Sequence, residues 1–175
     1  MHRMSILGDK VALVVVDVQR KFSLDRPDWP EIRQKGVDGM NRYMNMFRKA
    51  GRPVIIMAFE GETHNPYFGD DGEEWLQGLD VKPSDIVVTK YGMSSFKDTK
   101  LEQTLKETGS DAIVVIGMYA EFCVAATFFS GIEHDFSSYV GHDGMIAWNN
   151  PGGLEATEML CGTVTEDLVK EKLGL

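Results

Sequence analysis

The 175-residue sequence is poor in cysteine, and its two cysteines, Cys123 and Cys161, cannot form the disulfide framework of a small secreted domain. Basic residues are also few: Lys and Arg number 18 against 27 Asp and Glu, without a basic cluster that would attract nucleic acid. No apolar run approaches the roughly 20 residues of a membrane span, and the polar start "MHRMSILGDK" does not resemble a secretion signal. We therefore predict a cytoplasmic protein with no nucleic-acid and no membrane partner.

The sequence alternates apolar runs with helix-like segments. "KVALVVVDVQ" is an uninterrupted apolar run, typical of a strand covered on both faces, and helical spacing of apolar residues follows in "EIRQKGVDGMNRYMNMFRKAG". Further strands are predicted at "RPVIIMAF", "SDIVVTK", "DAIVVIG", "FSSYVGHDG" and "TVT", and further helices at "KDTKLEQTLKETG", "EFCVAATFFSG", "GGLEATEMLCG" and "EDLVKEKLG". This pattern predicts one α/β domain over residues 1–175, with a mostly parallel sheet of five or six strands and helices on both faces.

Two segments of this pattern carry further predictions. "EFCVAATFFSG" is nearly all apolar, which predicts a buried helix. The longest irregular stretch, about 60–83, has the length of a lid or a binding loop.

Ligands of an open parallel sheet bind beyond the carboxyl ends of its strands. Asp17 follows the first predicted strand, the Glu60–His64 loop the second, Lys90 ends the third, and Cys123 follows the fourth. Taken singly, these residues have ordinary interpretations: a turn-capping Asp, a solvated Lys and an apolar Cys. An acid, a base and a thiol at one edge of one sheet together favour a catalytic site.

Three motifs carry these residues: "ALVVVDVQRKF" contains Asp17, "KYGMSSF" begins with Lys90, and "GMYAEFCV" contains Cys123. In this order, and over nearly the whole chain, they resemble the isochorismatase-like cysteine hydrolases, the superfamily that includes nicotinamidases and N-carbamoyl amidohydrolases. The resemblance implies a three-layer αβα, Rossmann-like fold with a six-stranded sheet. It also implies a catalytic triad of Asp17, Lys90 and Cys123.

The chemistry of these groups fits the implied roles. Lys90 and the N-terminus of the following helix are expected to lower the pKa of the Cys123 thiol and favour the thiolate. Asp17 is expected to accept the thiol proton and to return it to a leaving amine. By resemblance, the oxyanion is held by the backbone amides of Cys123 and Tyr119, with a cis peptide bond between Met118 and Tyr119.

The loop after the second strand bears on substrate and metal. Family members that act on the vinyl ether of isochorismate lack the cysteine, so Cys123 favours acyl transfer at a C–N bond. Nicotinamidases carry an Asp-x-His pattern and a further histidine for a metal, whereas "FEGETHNPYF" offers only His64 with nearby carboxylates. We therefore predict no metal and no other cofactor, and we assign Glu60, His64 and Tyr119 to substrate recognition.

The sequence thus predicts a cysteine hydrolase that cleaves a small amide, ureido or carbamoyl compound through a thioester acyl-enzyme and assembles as a homo-oligomer. One alternative is a catalytically silent protein of the same fold that binds a metabolite or assembles with a partner. A second is a redox role for Cys123, which is disfavoured because no CxxC spacing occurs and Cys161 is expected to be a packing residue.

Overall fold

The computed structural model describes residues 10–61 and 74–175, which build one six-stranded sheet between two layers of helices. The strands are β1 (Val11–Val16), β2 (Val54–Phe59), β3 (Ile86–Lys90), β4 (Ala112–Met118), β5 (Ser137–Ile146) and β6 (Thr163–Val164). Their order across the sheet is β3-β2-β1-β4-β5-β6, and all pairings between them are parallel. The predicted three-layer, Rossmann-like arrangement is confirmed.

Helices cover both faces of the sheet. The helices are α1 (Trp29–Lys49), α2 (Leu101–Glu107), α3 (Ala125–Glu133), α4 (Gly152–Leu160) and α5 (Glu166–Leu173). Leu13 and Val15 of β1 share a core cluster with residues of α1 and α5, whereas Val14 and Val16 share a second cluster with residues of α2 and α3. Burial on both faces explains why the strands read as uninterrupted apolar runs. Among the helices of the described ranges, none is long and apolar enough to cross a bilayer.

The segment after β4 departs from the predicted single buried helix. It starts as a π-helical turn over Ala120–Val124 and continues as α3. Phe129 and Ile132 of α3 remain 46% and 51% exposed, respectively. An outer helix of a three-layer fold has one neighbouring layer only, so its second apolar face stays at the surface. The prediction of full burial is therefore wrong for this helix.

The chain changes direction across the sheet between β1 and β4. From β1 it adds β2 and β3 toward one edge, and from β4 it adds β5 and β6 toward the other. The two central strands are therefore β1 and β4, with Val16 in register with Gly117. Such a reversal opens a crevice at the carboxyl ends of the two central strands, and Asp17 and Cys123 follow those two strands.

Gly117 lies where β4 passes closest to β1. Its φ is 120°, and a Cβ there would lie 2.3 Å from the carbonyl oxygen of Val16. We expect Gly117→Ala to lower the free energy of unfolding by about 2–4 kcal/mol through backbone strain and steric overlap, measured by urea denaturation. Gly152→Ala is the control, because a Cβ at Gly152 meets nothing within 4 Å. Equal effects of the two substitutions would contradict a tight β1–β4 contact.

The irregular stretch predicted at 60–83 is described only in part, because residues 62–73 lie outside the described residues. At its described end, Trp75 forms an isolated antiparallel bridge with Gln19, and the N–H of Leu76 donates to the Val18 carbonyl oxygen at 3.0 Å. The stretch therefore returns to the end of β1, beside Asp17.

Candidate active site

Asp17 and Lys90 form a buried ion pair at the carboxyl edge of the sheet. Asp17 follows β1 directly and has a left-handed backbone with φ 53°, which Asp tolerates better than most residues. Lys90 ends β3, two strands away, and its Nζ lies 2.8 Å from Asp17 Oδ2 and 2.9 Å from the Met93 carbonyl oxygen. The Lys90 side chain is 0% exposed and that of Asp17 is 2% exposed, so each charge depends on the other for its stabilisation.

Hydroxyl groups join the Lys90 segment to the helix that follows Cys123. Thr127 Oγ1 donates to Ser95 Oγ at 2.8 Å and accepts from the Ser95 N–H at 3.1 Å. The hydroxyl groups of Ser94 and Ser130 lie 2.8 Å apart. Because two of these residues belong to "KYGMSSF" and two to α3, the network fixes the lysine segment against the segment that carries the thiol.

Cys123 lies in the π-helical turn, half-buried, and its thiol interacts with both Asp17 and Lys90. Asp17 Oδ1 is buried and has no hydrogen bond of ordinary geometry within the described structure. A buried carboxylate oxygen without a partner is rare in folded proteins. The structure thus brings the three predicted triad residues together and leaves one carboxylate oxygen free to accept a proton.

The resting thiol differs from the thiolate that the sequence predicts. Burial and the neighbouring Asp17 carboxylate raise the pKa of Cys123 to about 12, and Lys90 opposes only part of this rise. Burial also raises the pKa of Asp17, against the lowering effect of Lys90. The prediction of a lowered thiol pKa is therefore wrong, because one ammonium group does not offset desolvation together with an adjacent carboxylate.

This arrangement nevertheless permits proton transfer without a change in total charge. A thiol, a carboxylate and an ammonium sum to zero, and so do a thiolate, a carboxylic acid and an ammonium. Transfer from Cys123 to Asp17 therefore creates no net buried charge, whereas loss of the proton to bulk water does. The raised thiol pKa disfavours the second process. Asp17 is placed to act as an internal base for Cys123.

The peptide bond between Met118 and Tyr119 is cis, as the resemblance implies. The Tyr119 carbonyl oxygen accepts the N–H of Phe122 at 3.0 Å and that of Val124 at 3.3 Å. The bond from Val124 spans five residues and is the one that defines the π-helical turn. The Tyr119 hydroxyl donates to the Phe22 carbonyl oxygen, and burial raises the pKa of this phenol. Because the hydroxyl is used within the protein, the backbone amide is the part of Tyr119 best suited to face a substrate.

Glu60 and His64 are the two residues of the loop after β2 that the sequence predicts to recognise substrate. Glu60 follows β2, and its exposed carboxylate accepts from the hydroxyls of Thr89 at 3.2 Å and Tyr91 at 3.4 Å. His64 lies outside the described residues, so its assignment stays a prediction. Over 10–61 and 74–175, no group of three or more His, Cys, Asp and Glu side chains could hold a metal ion.

Gln19 and Lys21 also lie beside the site, although the sequence does not predict a role for them there. The Gln19 amide accepts from the Phe59 N–H at 2.7 Å and donates to the Phe59 carbonyl oxygen at 3.2 Å, joining the ends of β1 and β2. Lys21 is buried, with its Nζ 5.8 Å from the centre of the Phe59 ring. Its charge joins that of Lys90 in opposing the burial-driven rise of the Asp17 pKa. Both residues belong to "ALVVVDVQRKF", but polar residues just after a strand give no signal that they point inward.

A cavity of about 550 Å³ lies between α1, α4 and β5, and the triad residues are not part of its lining. Three of its acidic groups lie in local ion pairs: His142 Nδ1 lies 2.5 Å from Glu158 Oε1, His142 Nε2 lies 3.5 Å from Asp143 Oδ2, and Arg26 pairs with Asp28. The hydrogen bond to Glu158 raises the pKa of His142. These contacts fit a structural use of the polar groups at this cavity.

Known proteins resemble this chain along most of its length. The model of the isochorismatase domain matches residues 11–166. The chain is 27% identical over 150 residues to a secreted isochorismatase effector of Verticillium dahliae, covering 85% of this chain and 78% of that protein. It is 26% identical over 169 residues to a streptothricin hydrolase of Streptomyces noursei, covering 93% and 59%. The solved structure of N-carbamoylsarcosine amidase from Thermoplasma acidophilum matches with a TM-score of 0.73 and 28% identity, covering 89% and 95%.

Proposed function

We propose that this chain, which belongs to the isochorismatase family, is a cysteine hydrolase that cleaves a C–N bond of a small amide, ureido or carbamoyl compound. Its hydrolase class follows from the family, whose members include amidases and a streptothricin hydrolase. The observation that carries the proposal is the buried Asp17–Lys90 pair, with an unpartnered carboxylate oxygen, beside the thiol of Cys123.

The proposed reaction begins when a substrate carbonyl lies against the sulfur of Cys123. The thiol proton moves to Asp17 while the sulfur attacks the carbonyl carbon, and the π electrons of the C=O bond move to oxygen. The backbone amides of Tyr119 and Cys123 donate to the resulting oxyanion. Lys90 keeps its proton throughout, and its charge stabilises the negative charge that passes between carboxylate and sulfur.

Breakdown of this intermediate releases the amine first. As the C=O bond re-forms, the C–N bond breaks, Asp17 gives its proton to the departing nitrogen, and a thioester remains on Cys123. Water then attacks the thioester, with Asp17 accepting one of its protons. The C–S bond breaks, the acid leaves, and the proton returns to the sulfur. One water is consumed, and the site recovers its starting protonation state.

Ammonia release tests this proposal over a panel of primary amides, ureas and N-carbamoyl compounds. We expect the parent protein to release ammonia from at least one compound and Cys123→Ala to release none above background, because the acyl-enzyme needs the sulfur. Cys161→Ala is the matched control, since Cys161 is buried in the core, and it should retain turnover.

Mass mapping separates hydrolysis from binding. An aldehyde or reactive amide analogue should add its mass to the Cys123 peptide, and this addition should not depend on Cys161. If no compound is turned over and no analogue modifies Cys123, the silent binding alternative replaces the hydrolase. The homo-oligomer and the cytoplasmic location stay predictions.

A further inference from the structure

Glu121 is a charged residue within the π-helical turn, two positions before Cys123. Its carboxylate accepts two backbone N–H groups from the segment after β5, that of Trp148 at Oε2 (3.0 Å) and that of Asn149 at Oε1 (2.7 Å). Hydrogen bonds to an ionised acceptor are stronger than those between neutral groups. One side chain therefore joins the turn that carries the thiol to residues 27 and 28 positions further along the chain.

The same carboxylate lies against the first turn of α4. A Cβ at Gly153 would lie 2.3 Å from Glu121 Oε1, so a side chain larger than hydrogen at this position would collide with the carboxylate. The amino end of a helix carries partial positive charge and favours an anion. Glu121 thus joins its own turn to the Trp148–Asn149 segment by hydrogen bonds and packs against the start of α4.

Trp148 is the aromatic residue whose backbone is held by the Glu121 carboxylate. Its indole packs edge-on against the rings of Tyr119 (5.6 Å between centres) and Phe122 (6.4 Å). Arg26 Nη1 also donates to the Trp148 carbonyl oxygen at 3.3 Å. Tyr119 and Phe122 belong to the chain segment that leads into Cys123, so the indole packs against that segment.

We propose that Glu121 is a positioning residue that holds the Trp148 indole against Tyr119 and Phe122, and that the indole thereby sets which acyl group reaches the sulfur of Cys123. The inference rests on the proposed role of Cys123 as the nucleophile. Glu121 acts through two acceptor oxygens that face two N–H donors. Glutamine has the same shape but only one acceptor oxygen, so Glu121→Gln turns an NH₂ group toward one of the two donors.

Alkylation of Cys123 by two reagents tests the inference without a known substrate. Iodoacetamide is small, whereas N-benzyliodoacetamide carries a ring that we expect to contact the Trp148 indole. We expect Glu121→Gln to reduce the ratio of the benzyl rate to the iodoacetamide rate by about tenfold, the scale of losing one hydrogen bond to a charged acceptor. Mass mapping of the Cys123 peptide measures both rates. Glu102→Gln, which alters an exposed ion pair with Lys106 on α2, is the matched control and should leave the ratio unchanged.

A double-substitution cycle shows whether Glu121 acts through the indole. Trp148→Ala should reduce the ratio by itself, and adding Glu121→Gln should reduce it little further, because contacting residues are not additive. An unchanged ratio, an equal slowing of both reagents, or full additivity with Trp148→Ala would overturn the inference. If Glu121→Gln does not fold, Glu121→Asp replaces it, because a shorter carboxylate cannot reach both N–H groups and should shift the ratio in the same direction.

The result is distinguishable from failure of the proposed function. A shifted ratio in a protein that turns over no panel compound would retain Glu121 as the residue that positions Trp148 near Cys123, and would remove both the hydrolase assignment and the role in acyl selection. Turnover in the parent protein with an unshifted ratio would remove only the role of Glu121.

Discussion

Asp17→Asn is expected to lower turnover by about 100-fold or more while leaving Cys123 at least as reactive toward iodoacetamide as in the parent protein. Asparagine keeps the size of the side chain but can neither accept the thiol proton nor return it to a leaving amine. Asp17 is also one of the groups that raise the pKa of Cys123, whereas Lys90 lowers it. Removing the carboxylate and keeping the ammonium should therefore lower the thiol pKa and increase the thiolate fraction at a given pH.

Two assays on one variant separate these effects. Turnover is measured with the substrate that the ammonia screen identifies, and alkylation is measured on the Cys123 peptide relative to the Cys161 peptide. Asp167→Asn is the matched control, because the Asp167 side chain is 97% exposed, and it should change neither rate. Retained turnover in Asp17→Asn would remove Asp17 from the mechanism. A parallel fall in alkylation would contradict the assigned influence of Asp17 on the thiol pKa.

Lys90→Met is expected to lower the free energy of unfolding by about 3–5 kcal/mol at neutral pH and to abolish most turnover, because it leaves the buried Asp17 carboxylate without its partner. Methionine is unbranched and of similar length, so the loss reflects charge more than volume. Without the ammonium, which lowers the Asp17 pKa, that pKa rises further above its unfolded value. A folded-state pKa raised in this way gives stability that is present at low pH and is lost as pH rises through it.

The pH dependence distinguishes this cause from a packing defect. The difference in unfolding free energy between Lys90→Met and the parent protein should widen as pH rises through the raised folded-state pKa of Asp17, measured by urea denaturation. A loss of equal size at every pH would indicate a cavity or a strained side chain. Lys106→Met removes an exposed partner of Glu102, with 66% of the Lys106 side chain exposed, and should cost less than about 1 kcal/mol.

The strands and the edge of the sheet that holds the site could be predicted because their signals are local. Val11–Val16 is buried on both faces, and a doubly covered strand needs no polar alternation. Asp17, Lys90 and Cys123 were found because polar residues that end buried strands must meet at one edge of a parallel sheet. That rule requires only the order of strands and helices, which the sequence shows directly.

The thiol pKa and Glu121 could not be predicted because both depend on distances between remote segments. The sequence places a lysine near the thiol, but it does not show that Asp17 and burial together outweigh that charge. In the sequence, Glu121 is typical of a surface residue of a helix. Its hydrogen-bond partners, the N–H groups of Trp148 and Asn149, come only after α3 and β5 in the chain. A single charge inside the nearly apolar "EFCVAATFFSG" was the one available signal.

The register of the two central strands also determines when the site can form during folding. Val11 of β1 pairs with Ala112 of β4, so the ends of a very long chain segment must meet before hydrogen bonds can form between these two strands. Proteins dominated by such non-local pairings fold in about milliseconds to seconds, more slowly than proteins with local contacts. Asp17 and Cys123 follow these two strands, so we expect them to meet only after β1 and β4 have paired. Recovery of Asp17-dependent chemistry at Cys123 during refolding is therefore a kinetic probe of the closure of the central strand pair.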